Sequence, residues 1–457
     1  MPEHPELRPP WSRSERRIPR AVVRPLQQFL SASTSSGYVL LVAVAVALVW
    51  ANSPWSDGYE RLWRTPLVLR IGDLAIGTDV RFWIGNGLMT LFFLVVGLEI
   101  KREVTSGELR RPKAVALPAI AAAGGMVVPA LLYLAIAGRG PGAHGWAIPM
   151  ATDIALALGA LALAGAAAPT GLKPLLLTLA IVDDIGAIVV VTIAYGHQGD
   201  LVAVVWAVVV VGAVLLADRA HIRNIAVYVG LGALLWFSLW RAGVEPAIAG
   251  VVMGLLAPAA PFQRPRAVSA EARRIAEATA DDPEPPDADA PLWLELADLS
   301  REAVSPVARV EHALLLWTSF VIVPLFALAN AGVHITPSAL FTTTGVTIAV
   351  AIVVARVVGK PIGVVAATRL ANSTGVGTLP PDVDSGAVLG LGVTAGIGFT
   401  VALFIADLAF TDHPELLDAA KVGVIVAAIL AGAASWLTFR LVETRRRRRH
   451  SLGSDPR

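Results

Sequence analysis

Apolar runs suited to crossing a bilayer, about 17–25 residues at 1.5 Å of rise each, recur along this chain. They fall near residues 36–52, 83–100, 114–137, 143–164, 173–195, 201–217, 222–240, 243–259, 310–332, 344–369, 386–410 and 418–439, with Pro246 interrupting the eighth. The predicted fold is therefore an all-α polytopic membrane protein of about twelve transmembrane helices. A basic tail covers 1–35, eight helices 36–259, a polar loop 260–305, four helices 306–440 and a second basic tail 441–457.

Two connections are long. Residues 53–82 contain Leu67–Ile71 and Leu74–Ile76 around Gly72–Asp73, and Gly-Asp between apolar runs reads as a hairpin turn. Residues 260–305 are rich in Pro, Asp, Glu and Ala. Within them, 281–291 has the composition of a disordered segment, and 270–279 suits a short helix.

Composition agrees with the pattern. Of 457 residues, 55% are hydrophobic and only 16% charged, against about 25% charged in soluble domains. The absence of cysteine excludes disulfides, thiolate metal sites and cysteine nucleophiles. The polar, Arg-rich start is not a cleaved signal peptide, and the first run is read as a start-transfer helix. With both termini inside, most Lys and Arg fall on inside segments, including Lys101, Arg102, Arg219 and Arg445–Arg449. That asymmetry obeys the positive-inside rule. The last basic run is read as a topology anchor for anionic lipid, not a nucleic-acid site.

Three acids break the apolar pattern. Asp153 lies in Ala147–Ala164, and Asp183 and Asp184 lie in Leu175–Ala194. A carboxylate at the bilayer centre costs at least ~2.5–3.5 kcal/mol, so an intramembrane acid reads by default as an ion or proton site. Asp153 and Asp183 each lie about ten residues into adjacent antiparallel helices, which brings both near the midplane. Asp184 points about 100° away from Asp183. One acid is thus expected to bind the ion while the other meets a base. Lys360, in Val357–Gly363, is the candidate base, whereas Arg356 stays ambiguous.

Helix breaks accompany the acids. Pro149 precedes Thr152 and Asp153, and Gly396 and Gly398 interrupt 386–410. Discontinuous helices in corresponding positions of two halves point to a transporter's site. Thr152 and Asp153 suit the start of a resumed half-helix, where a carboxylate offsets the positive dipole end. At the inner mouth, Glu99 and Glu103 share a helix face beside Arg102, and Glu311 and His312 begin another helix. Such a cluster can respond to pH.

At these residues the chain resembles the NhaA-type Na+/H+ antiporters. The matching motifs are Phe92–Glu103, Ala151–Ala155, Ile181–Ile188, Phe326–Gly332, Gly359–Gly363 and Gly396–Thr400, in the family's order. The resemblance implies inverted repeats with spans four and eleven unwound where they cross. It implies that Asp184 is the principal carrier of Na+ or H+, that Asp183 is an accessory acid at the Na+ site that pairs with Lys360, and that Asp153 and Lys360 offset charge at the breaks. It assigns Glu99, Glu103 and Glu311 to a pH-linked mouth, and the 53–82 hairpin to a contact between two protomers. Three positions depart from the family pattern: Glu245, Ala308 and Asp407.

The expected function is electrogenic, pH-regulated exchange of internal Na+ or Li+ for external H+ in a bacterial inner membrane, with no cofactor and no enzymatic activity. A bare carboxylate is costly in low dielectric, so the site takes a proton or a hard cation, not both. Sodium-coupled uptake of an organic anion is the alternative. A Mg2+-dependent intramembrane enzyme and a channel fit less well.

Overall fold

A computed structural model of the protein describes residues 35–72, 74–110, 112–164, 168–195, 200–222, 224–279, 289–333 and 342–453. Residues 1–34 therefore lie outside the described residues, as do Asp73 and 281–288, most of the 281–291 segment expected to be disordered.

Among the described residues, the regular structure is helical apart from one small hairpin. Helix α1 (Ser35–Ala51) turns through 116° into α2 (Ser56–Trp63). Strand β1 (Leu69–Ile71) pairs antiparallel with β2 (Leu74–Ile76), with Leu69 opposite Ile76. The turn is tight enough to put Gly72 at φ 61°, a left-handed conformation that glycine adopts freely. Helix α3 (Val80–Thr105) follows, capped by Asp79, whose Oδ1 accepts the Phe82 N–H at 2.8 Å. Next come α4 (Pro112–Ala137), α5 (Ile154–Ala164), α6 (Leu172–Ala194), α7 (Leu201–Arg219), α8 (Ile225–Arg241) and α9 (Ile248–Leu256). The 260–305 loop carries α10 (Pro265–Thr279) and α11 (Ala290–Glu302). The final set is α12 (Pro306–Asn330), α13 (Thr343–Ser373), α14 (Ser385–Ala395), α15 (Thr400–Ala409) and α16 (Pro414–Gly453).

Among the described residues, seven helices are long and apolar enough to cross a membrane, or nine if each bent pair counts as one span. Burial is inverted relative to a soluble protein. Val202, Val205, Trp206, Val208 and Val209 face outward on α7, while Lys360, Arg356 and Asp183 are fully buried. Only hydrocarbon surroundings make that arrangement favourable. The chain is a multi-pass membrane protein.

Several elements differ from the sequence expectation. Helix α2 was not foreseen; it is held because Tyr59 Oη donates to Leu328 O at 2.8 Å, docking it on the end of α12. Helix α11 begins at Ala290, inside the stretch expected to be disordered. The 243–259 run yields only the helix Ile248–Leu256, because Pro246 and Gly243, at φ 69°, break its start. Helix α16 runs through the terminal arginines to Gly453, since arginine is a good helix former and nothing earlier stops it.

Two proline-containing helices stay continuous by widening a turn. Pro324 follows a π turn over Thr318–Ile322, and Pro361 follows one over Ala355–Gly359. A proline ring clashes with the carbonyl four residues back, and a wider turn relieves that clash. The second π turn also sets the phase of Arg356 and Lys360 toward the core. Helix α13 packs closely on α4, where a Cβ added at Gly363 would strike the Gly124 carbonyl. This small-residue contact lets the two backbones touch.

Candidate functional site

Two interrupted helical stretches meet in the interior. One runs from a 3-10 turn (Pro141–Ala147) through Ile148–Asp153 to α5. The other is α14 and α15, which meet at 48° around residues 396–399. They touch directly, since the Asp153 N–H donates to Ile397 O at 2.8 Å. A Cβ at Gly398 would strike the Ala151 carbonyl and the Arg356 guanidinium, so this approach requires glycine. Pro149 is buried in the first break, where its missing N–H costs no helix bond.

Each break leaves helix ends whose backbone groups need partners. Asp153 serves two N-terminal ends. Its Oδ1 accepts the Leu156 N–H at 3.1 Å in the first turn of α5. Its Oδ2 accepts Thr400 Oγ1–H at 2.9 Å and the Thr400 N–H at 3.3 Å, at the start of α15. One carboxylate thus meets the positive dipole ends of both resumed helices.

Cations serve the carbonyl ends. The fully buried Arg356 guanidinium donates to Ile148 O at 2.9 Å, to Ala151 O at 3.0 Å and to Gly398 O. Lys360 Nζ donates to Met150 O and to Asp183 Oδ2, the latter at 2.5 Å. Arg356 therefore clasps both broken stretches, a role the sequence reading left open. Its signal was a second base one helical turn before Lys360 in an otherwise apolar run.

The two adjacent aspartates on α6 have different surroundings. Asp183 Oδ2 meets Lys360 and lies 2.6 Å from Thr152 Oγ1, which is also 2.9 Å from Ala395 O. Asp184 is buried, and its Oδ1 finds no hydrogen-bond partner among the described residues. Asp183 Oδ1 is likewise unpartnered. Buried acceptors without donors are rare in folded proteins, so each of these two oxygens has room in its chemistry for a proton or a cation. Sequence order thus becomes a division of environment through the ~100° step between neighbours on a helix.

The remaining candidates form a second group, from which Glu99 reaches close enough to Asp184 for their charges to interact. Arg102 on α3 bridges to Glu311 on α12, and its other nitrogen is 3.7 Å from Glu103. Glu99 lies one turn earlier on α3, and His312 is exposed next to Glu311. Asp407, an acid with no expected role, pairs with Lys421 of α16 at 2.8 Å. Ala308 sits where its N–H meets the Ser305 cap at 3.3 Å.

Residues 27–439 match the family described as Na+/H+ antiporter 1. The chain is similar to Na+/H+ antiporter NhaA 2 of Sorangium cellulosum, 43% identical over 431 residues, or 93% of this chain and 92% of that protein. It is also 43% identical to Na+/H+ antiporter NhaA of Janthinobacterium sp. over 411 residues, covering 89% and 90% of the two chains. A third relative, Na+/H+ antiporter NhaA of Cupriavidus necator, is 43% identical over 432 residues, covering 93% and 91%.

Proposed function

This chain belongs to the Na+/H+ antiporter 1 family and exchanges Na+ for H+ across a membrane; we propose that Asp184 is the acid on which the two ions compete. The observation that carries this reading is the buried, unpartnered Asp184 Oδ1 beside an Asp183 already engaged by Lys360 and Thr152. An ionised carboxylate in low dielectric demands neutralisation, which a proton or a hard cation supplies. Na+ arriving displaces the proton; rocking of the bundle moves access to the other side; a proton then displaces Na+.

Around this step, Asp183 and Lys360 form a structural ion pair, while Asp153 and Arg356 hold the broken helices at the crossing. The two breaks belong to spans four and eleven of twelve, arranged as inverted repeats. Three spans with shorter helices, Ile154–Ala164, Ile225–Arg241 and Ile248–Leu256, account for the lower count by helix length. The termini face the cytoplasm of a bacterial inner membrane, in line with the distribution of Lys and Arg.

Exchange is electrogenic, with more than one H+ entering for each Na+ or Li+ that leaves. Each net charge then gains ~2.3 kcal/mol per 100 mV of membrane potential. The Arg102 tie between Glu311 and Glu103 belongs to a cytoplasmic mouth, with Glu99 and His312, that sets the pH at which exchange begins. The 69–76 hairpin pairs two protomers. Cation-driven collapse of a pH gradient in inverted vesicles, with Asp184→Asn as the negative, tests the reading.

A further inference from the structure

Glu245 is an ionisable group that the exchange cycle leaves unused. It sits in the broken start of α9, and its Oε1 is buried without a hydrogen-bond partner among the described residues. It lines a cavity of ≈ 10 Å³, the space of about a single water. Residues of α3, α6, α9 and α15 line it, and among the described lining residues only Glu245 is ionisable. Arg241, four residues earlier on α8, is half-exposed and turns to Asp200 at 3.9 Å.

The cavity's position relative to Asp184 gives it meaning. Its α6 wall is Ala187, Ile188 and Val191. These residues follow Asp184 by three, four and seven positions, so they share its helix face. At 1.5 Å per residue the cavity lies roughly 5–10 Å along α6 from Asp184, toward Ala194. Asp200 and Arg241 meet on that same side. On the cavity wall, Phe93 and Phe404 lean together with ring centroids 5.3 Å apart.

We propose that Glu245 is a proton-binding relay on the Ala194 side of the exchange site. Its carboxylate takes a proton from water on that side and, when the bundle moves and water bridges the two groups, passes it to the Asp184 carboxylate. Na+ leaves Asp184 as the proton arrives, and Glu245 returns to its ionised form, so one proton enters per transfer and none is stored. Na+ itself does not use this cavity. One carboxyl among apolar walls falls short of the roughly six oxygens a dehydrated hard cation takes.

This inference rests on the proposed role of Asp184, and two fluxes distinguish their failures. In proteoliposomes, Na+-driven H+ movement requires proton delivery, whereas isotopic Na+ self-exchange at equal Na+ requires none. Glu245→Gln should lower H+ movement about tenfold, within the range for loss of a proton-transfer group, and keep self-exchange within about twofold. Glu245→His, which also binds and releases a proton near neutral pH, should restore H+ movement. Unchanged H+ movement in Glu245→Gln overturns the relay, as does a parallel loss of both fluxes or failure of histidine to restore. Full activity of Asp184→Asn would instead overturn the carrier assignment on which the relay depends.

Discussion

Lys360 Nζ lies 2.5 Å from Asp183 Oδ2 with both side chains sealed from solvent, so each charge in this pair exists only because the other is there. Removing one partner strands the other. Lys360→Met is expected to destabilise the protein by ~3–5 kcal/mol, as for other broken buried pairs. The double variant Asp183→Asn with Lys360→Met should recover most of that loss. Thermal unfolding of the detergent-solubilised proteins measures both; a double variant no better than the single would mean the charges are not mutually dependent.

Arg356 has three carbonyl partners drawn from both interrupted stretches. Arg356→Leu leaves these acceptors dry, at ~1–3 kcal/mol each. A lysine carries the charge but not the planar fork, so Arg356→Lys should recover only part of the stability. Unfolding temperatures in the order wild type, Lys, Leu are expected. Equal temperatures would show that the clasp contributes nothing.

The sequence made the acids and Lys360 legible for one reason: charge inside hydrocarbon is costly enough to require a purpose. Pro149, Gly396 and Gly398 likewise marked the breaks. What it could not convey was phase and depth along α13. An arginine in an apolar run can snorkel to the headgroups, and only the π turn over 355–359, which turns Arg356 inward, decides otherwise. Depth and helical phase left the roles of Asp183 and Asp184 undecided, the family resemblance assigned them, and Lys360 lies against Asp183. Helix α2 escaped notice because its order comes from a distant contact, Tyr59 with Leu328.

Thr400 offers Asp153 both a hydroxyl and a backbone N–H. Thr400→Val removes the hydroxyl while keeping the shape, and should cost ~1–3 kcal/mol with reduced transport. Thr400→Ser should stay close to wild type. If Thr400→Val matched wild type in unfolding temperature and flux, the hydroxyl would have no part in holding the crossing.

Outside the membrane, the Arg274 guanidinium beside Glu271 on α10 holds that carboxyl below its ordinary value. A folded value depressed in this way stabilises α10 above the unfolded carboxyl's range and is lost as pH falls through the lowered value. Because both groups lie at the surface, salt should weaken the effect. Carboxyl NMR titration should find Glu271 shifted down in wild type and returned to the ordinary range in Arg274→Gln. Identical titrations would break the assignment.

The central claim is that Na+ and H+ compete for Asp184. Its most direct test is the proton released when Na+ binds the purified protein, followed by calorimetry in two buffers of different ionisation enthalpy. Wild type should release protons on adding Na+, Glu245→Gln should still do so at equilibrium, and Asp184→Asn should neither bind Na+ nor release a proton. Sodium-coupled proton release that survives in Asp184→Asn would contradict the account.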